Sequence, residues 1–194
     1  VFTSLIARLG TIAMAAHSIA ITAEQAFYIP GYGMQAAAAT LCGNALGAGD
    51  GKRLASVART SICMAAGVMA ATGALLFLFP GFMMSIFTPD EEVIALGQNV
   101  LRIVAVSEPV FGASIILEGV FDGIGDTRTP LVISIATMWG VRILATYVCV
   151  NWLHLGLTAV WCCMVADNVA RGALLSARYV RGRWKQSVGL EEAG

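Results

Sequence analysis

From Gln25 to Gly49 the chain runs 25 residues without a charged side chain, and from Thr60 to Pro89 it runs another 30. A helix needs only about 20 apolar residues to cross the hydrocarbon core of a bilayer, so stretches of this length constrain the fold more than any other feature. A soluble domain charges roughly a quarter of its residues; here 12% are charged and 58% are apolar. Mean hydropathy is +0.78. Lipid, not water, is therefore the expected solvent, and the chain reads as a multi-pass, all-α integral membrane protein. Twelve basic residues against twelve acidic ones leave no electrostatic footprint for nucleic acid.

The motifs of soluble chemistry fail one by one. Cys42, Cys63, Cys149, Cys162 and Cys163 form no CxxC pair and sit in apolar stretches, so they read as small buried side chains. His17 and His154 are too far apart to suggest a metal cluster, and no metal or cofactor is expected. The run Gly47-Ala48-Gly49-Asp50-Gly51-Lys52 resembles a phosphate loop, but the spacing would require glycine at Leu46 and Ser or Thr at Arg53. No Ser-His-Asp arrangement is present, and an enzyme is not expected. Val1-Phe2-Thr3-Ser4 lacks an initiator Met and a basic leader, and reads as a cut inside an apolar segment.

Residues 1–9 read as the tail of a helix. Full helices are expected at about 12–46, 54–79, 93–121, 131–150 and 157–180. These make five transmembrane helices plus the tail of a sixth. The first is bent at Pro30, because at ~1.5 Å per residue its length exceeds the bilayer. Lys52, Arg53, Arg59, Arg128, Arg178, Arg181, Arg183 and Lys185 flank alternate connections, whereas 80–92 and 151–156 hold no Lys or Arg. The excess of basic residues marks the cytoplasmic side and places the C-terminus there.

Ionisable residues within spans are costly and face the bundle interior or a wet cavity. Glu24, Glu108 and Glu118 are the candidates for ion coupling; Glu24 reads either as a proton-carrying carboxyl or as an inert one at a wet vestibule. Glu108 precedes Pro109, which frees a carbonyl, and helices broken beside acids are a recurrent coupling-site device. Arg142 must find a carboxylate, carbonyls or water, with Glu108 or Glu24 as the expected partner. With Gln35 and Tyr32 it is a candidate for a substrate cavity or an ion pair. Pro30 and Pro109 are candidate hinges, and Asp167 and Arg171, four residues apart, a structural pair. The tracts 36–39, 65–67 and 70–74 are small enough for close helix approach. Met34, Met64, Met69, Met83 and Met84 read as core or lipid-facing side chains sooner than as a cavity lining.

Three segments, Ala15-Ala16-His17-Ser18-Ile19-Ala20, Tyr28-Ile29-Pro30-Gly31-Tyr32-Gly33 and Gly43-Asn44-Ala45-Leu46-Gly47-Ala48-Gly49, resemble the second helix of the C-terminal lobe of multidrug and toxic compound extrusion (MATE) transporters. Leu76-Phe77-Leu78-Phe79-Pro80, Phe87-Thr88-Pro89-Asp90, the run from Gly119 to Pro130, Arg171-Gly172 and Arg181-Gly182-Arg183-Trp184 resemble its later helices in order. The resemblance covers essentially the whole chain. It implies one lobe of a twelve-helix, two-lobe transporter, from the end of helix seven through helix twelve, with the N-terminal lobe missing. The implied activity is export of drugs and amphipathic cations across the plasma membrane, coupled to H⁺ or Na⁺. The family commonly has Arg where Asp122 stands, and its helix-ten acid aligns near Phe111. The alternatives are a lipid or oligosaccharide flippase of related fold, which requires more cationic lining than Arg142 supplies, and a nonfunctional truncated fragment.

Overall fold

The computed structural model describes residues 2–182, and every regular element among them is helical. Short α1 (Phe2–Ala7) turns at Gly10, whose φ of 105° would strain any side chain, into α2 (Thr11–Gly47), which continues through Pro30. α3 (Gly51–Leu78) begins three residues earlier than the sequence predicts, because Asp50 caps it by accepting the Arg53 N–H at 2.8 Å. Pro80 does not merely stop that helix; it opens the short α4 (Pro80–Ser85). Asp90 caps α5 (Glu91–Gly123), accepting the Glu92 and Val93 N–H groups at 3.0 and 3.3 Å. α6 (Arg128–Thr137) runs through a π-helical turn (Met138–Ile143) into α7 (Leu144–Asn151), and α8 (Leu157–Val180) closes the set.

The expectation of five full membrane spans plus the tail of a sixth is corrected by this structure. Among the described residues, three stretches, Gly51–Leu78, Glu91–Gly123 and Arg128–Asn151, are long and apolar enough to cross a membrane. α2 and α8 are long enough but insufficiently apolar. α2 is dominated by alanine and glycine and interrupted by His17, Glu24, Gln25 and Gln35, while α8 carries Asp167, Asn168 and Arg171 near its middle. The molecule is an all-α, multi-pass membrane fold in which these two helices serve as polar-bearing packing partners.

α5 is the axis of the bundle and packs against α2, α3, α4 and α8. Close approach is enforced by glycine at two crossings. A Cβ on Gly73 of α3 would lie 2.7 Å from the Ala105 carbonyl oxygen, and one on Gly119 of α5 would lie 2.6 Å from that of Gln35. Two apolar cores result. One gathers Ile6, Ala13, Leu76, Met84, Val93, Leu101, Val150 and Trp161; the other gathers Cys42, Ala45, Leu54, Phe121, Ile124 and Leu175. The residue order in these cores shows α2, α5 and α8 running the same way. Their C-terminal ends therefore lie together, bringing Lys52, Arg53, Arg128, Arg178 and Arg181 to one end of the bundle. Arg183, Trp184 and Lys185 lie outside the described residues. Met69 and Met84 are core residues, Met34 and Met83 are partly buried against the cores, and Met64 is exposed.

Candidate functional site

Between the two cores, the polar side chains of α2, α5, the π-helical turn and α8 converge. On α2, Glu24, Tyr28 and Tyr32 repeat every fourth residue and so share one face. Tyr28 is buried and donates its hydroxyl hydrogen to Oε1 of Glu24. Its ring lies 4.6 Å from that of Phe111 on α5 and meets the Tyr32 ring edge-on at 6.4 Å. Glu108, on α5 immediately before Pro109, is fully buried. It lies within electrostatic reach of both Glu24 and Tyr28. Two carboxyl groups from different helices thus share one tyrosine, away from water.

The second group is built on α8. Asp167, fully buried, is held from both sides, with Nε of Arg142 at 3.0 Å and Nη2 of Arg171 at 3.3 Å. Arg171 reaches on to Glu118 of α5 at 3.6 Å, and Asn168 lies 3.5 Å from Nη2 of Arg142. Arg142 also lies over the Phe2 ring, 5.9 Å from its centroid, while the His17 ring stands edge-on between Phe2 and Trp161 at 5.8 Å from each. Arg142 belongs to the π-helical turn Met138–Ile143. A π turn takes an extra residue into the helix and so changes which side chains face α8.

The structure departs from the sequence expectation at Arg142. Its ion-pair partner is Asp167 and not Glu108, whose Cβ and Cγ sit against Gly73 of α3; Glu24 remains within electrostatic reach of Arg142 on the same cavity wall. The i, i+4 pair of Asp167 and Arg171 is present, but as the middle of a four-member chain and not as an isolated pair. Glu118 is a member of that chain.

A cavity of about 220 Å³ joins the two groups, with Glu24, Tyr28, Tyr32, Phe111, Arg142, Asn168 and Arg171 on its wall. Glu108 lies behind Tyr28. Gln35 is half-buried at the α2–α5 crossing over Gly119, away from the cavity wall. Pro30 and Pro109 lie inside the two helices that carry the acids, two residues after Tyr28 and one after Glu108. Sequence reasoning missed Tyr28 and Asn168, and placed Phe111 only as the position near which the family's helix-ten acid aligns. The spacing of Tyr28 from Glu24 was the available signal for the first; the second, and the contact of Phe111 with Tyr28, become visible only once the helices are packed. Among the described residues, no three His, Cys, Asp or Glu side chains group as a metal site.

A family model described as MatE matches residues 1–148, and the chain belongs to that family of transporters. It is 27% identical over 185 residues to "Probable multidrug resistance protein NorM" of Thermotoga maritima, covering 95% of this chain and 40% of that protein. It is 29% identical over 184 residues to the protein of the same name from Brucella suis, covering 91% and 39%. Among solved structures, a MATE in the bent conformation superposes with a TM-score of 0.87 at 22% identity, covering 97% of this chain and 42% of that one. A MOP superfamily transporter from Pyrococcus furiosus superposes at 0.85 and 22% identity, covering 99% and 43%. The chain spans about two fifths of the length of the curated relatives it matches.

Proposed function

We propose that this chain is the C-terminal lobe of a plasma-membrane antiporter, from the end of its seventh helix through its twelfth. The complete two-lobe protein would export drugs and other amphipathic organic cations in exchange for H⁺ or Na⁺. The observation that carries the reading is the buried pair Glu24 and Glu108 around Tyr28, set behind a cavity walled by aromatic rings. Two carboxyl groups shielded from water cost least when they hold a proton or a cation between them. Release of that proton or cation leaves negative charge at the cavity wall. Tyr28, Tyr32 and Phe111 then supply apolar area and ring faces on which an organic cation is attracted. The chain Arg142–Asp167–Arg171–Glu118 balances two positive charges with two negative ones, so it orients the wall without opposing a cationic cargo. Pro30 and Pro109 loosen the two acid-bearing helices where an alternating-access motion would bend them. Gln35, at the crossing of those helices, is placed to feel the same motion. The names of the curated relatives support the substrate class, and the gathered basic side chains support a cytoplasmic C-terminus.

The test is exchange by the complete transporter in proteoliposomes. Glu24→Gln and Glu108→Gln are each expected to slow drug export driven by an imposed ion gradient at least tenfold while leaving the protein folded. Undiminished export by the double variant removes both residues from coupling.

A second reading has one observation in its favour, since Arg142 and Arg171 both reach the cavity wall. A lipid or oligosaccharide flippase would use them for phosphate, and the solved Pyrococcus furiosus transporter is described as having a binding pocket of reverse polarity that suggests a different function. Arg142→Gln separates the two. Loss of lipid translocation without loss of drug export favours the flippase; the converse favours the antiporter.

A further inference from the structure

A second recess lies at the opposite end of the bundle from the gathered basic residues, where α1 meets the turn between α7 and α8. It has a volume of about 440 Å³ and is lined by Arg8, Leu9, Val150, Asn151 and His154. Arg8 is anchored at one corner of its guanidinium, Nη1 donating to Oδ1 of Asn151 at 2.8 Å across 143 residues of sequence. An arginine has five N–H donors, so this bond tethers one corner of the group and leaves the other donors for a ligand. His154 adds an imidazole from a backbone with φ of 48°, a left-handed conformation that a side chain other than Gly or Asn adopts at a cost. None of the lining residues is a carboxylate. The recess is therefore a positively charged, donor-rich concavity with nothing in it to repel an anion.

Its position says what kind of anion. Asn151 is the last residue of a stretch long and apolar enough to cross a membrane, so the recess opens at headgroup depth. The turn beside it carries Trp152, Leu153 and Leu155, which are 74%, 58% and 42% exposed. Tryptophan and leucine uncovered at the end of a span are suited to the boundary between headgroups and acyl chains.

We propose that the Arg8–Asn151–His154 recess binds a phosphate group, supplied by an anionic lipid whose acyl chains lie along Trp152, Leu153 and Leu155. Arginine suits this chemistry because its planar fork matches two phosphate oxygens at once. The site is separate from the acid–tyrosine cluster and stands or falls independently of the transport reading.

Native mass spectrometry of the protein released from detergent micelles tests it, with phosphatidylglycerol, phosphatidylcholine and inorganic phosphate titrated separately. One phosphatidylglycerol per chain is expected to be retained in preference to phosphatidylcholine. Arg8→Gln should weaken that binding about tenfold, the loss of one charge-assisted contact; Arg8→Lys, which keeps the charge but not the fork, should weaken it less. His154→Asn, which tolerates the left-handed backbone, gives a second reading of the same site if Arg8→Gln fails to fold. Saturation by inorganic phosphate with no lipid preference would assign the site to free phosphate and overturn the lipid source. Lipid retention unchanged in both Arg8→Gln and His154→Asn overturns the site itself.

Discussion

At the scale of single residues, Asp167 is the side chain whose loss has the clearest consequence. It is fully buried and bonded by two arginines, so Asp167→Asn leaves Arg142 without its ion-pair partner and Arg171 with Glu118 alone. Breaking a buried ion pair from one side costs ~3–5 kcal/mol, and because Arg142 and Arg171 retain 23% and 19% exposure the lower end applies. A lower thermal midpoint in detergent is expected, partly restored when Arg142→Gln is added, because the double variant removes charge and counter-charge together. Strictly additive losses would show that the two residues are not coupled. Tyr28 separates two roles within one side chain. Tyr28→Phe keeps the ring against Phe111 and should cost about 1–3 kcal/mol for the lost donor to Glu24. Tyr28→Ala also empties the ring's space and should cost about 3–5 kcal/mol. Denaturation of both variants by one detergent series gives the order; equal losses would leave the ring contact without energetic weight.

At the scale of elements, α3 provides an internal control for close packing. Gly73 faces α5, where an added Cβ would meet the Ala105 carbonyl at 2.7 Å and the Glu108 Cβ at 3.0 Å, whereas a Cβ on Gly67 meets nothing within 4 Å. Gly73→Ala is expected to destabilise by about 1–3 kcal/mol through overpacking. Gly67→Ala is expected to be neutral or stabilising by up to about 1 kcal/mol, since alanine is the better helix former. Thermal melts that place the two in the opposite order would sink the packing account of α3 and α5. Most of the helices were legible in the sequence because their ends are chemically marked: Asp90 with Glu91 and Glu92 is a start, Pro80 stops α3, and Gly10 is a turn. α4 was not, since six residues carry no periodicity. Neither was the π-helical turn, since an inserted residue leaves no compositional trace. The count of spans misled for a physical reason. A stretch such as residues 36–39 is uncharged but only weakly apolar, and absence of charge is not the same as preference for lipid. Arg142 shows the same limit at the site: a buried guanidinium predicts that a carboxylate is near, but the choice of Asp167 over Glu108 depends on which way each helix is turned.

At the scale of the whole molecule, the three qualifying stretches among the described residues predict the sides of four connections. If Gly51–Leu78, Glu91–Gly123 and Arg128–Asn151, each long and apolar enough to cross, carry the chain across once apiece, residues near 52 and 126 share one side and those near 90 and 154 share the other. The packing reaches the same division without reference to a membrane. One apolar core joins Ala45, Leu54, Ile124 and Leu175, and the other joins Ala13, Met84, Val93, Val150 and Leu157, so the turns sort to two ends. Charge follows the sorting, with Lys52, Arg53 and Arg128 at one end and Asp90, Glu91 and Glu92 at the other. Single cysteines introduced at Lys52, Asp90, Asp126 and His154, in a chain whose five native cysteines are replaced by alanine, turn this into a measurement. In intact cells a membrane-impermeant thiol reagent is expected to modify positions 90 and 154 and to spare 52 and 126 until the membrane is opened. Modification of 52 together with 90 would mean that Gly51–Leu78 does not cross, and the shared basic end would then have lost its link to the cytoplasm.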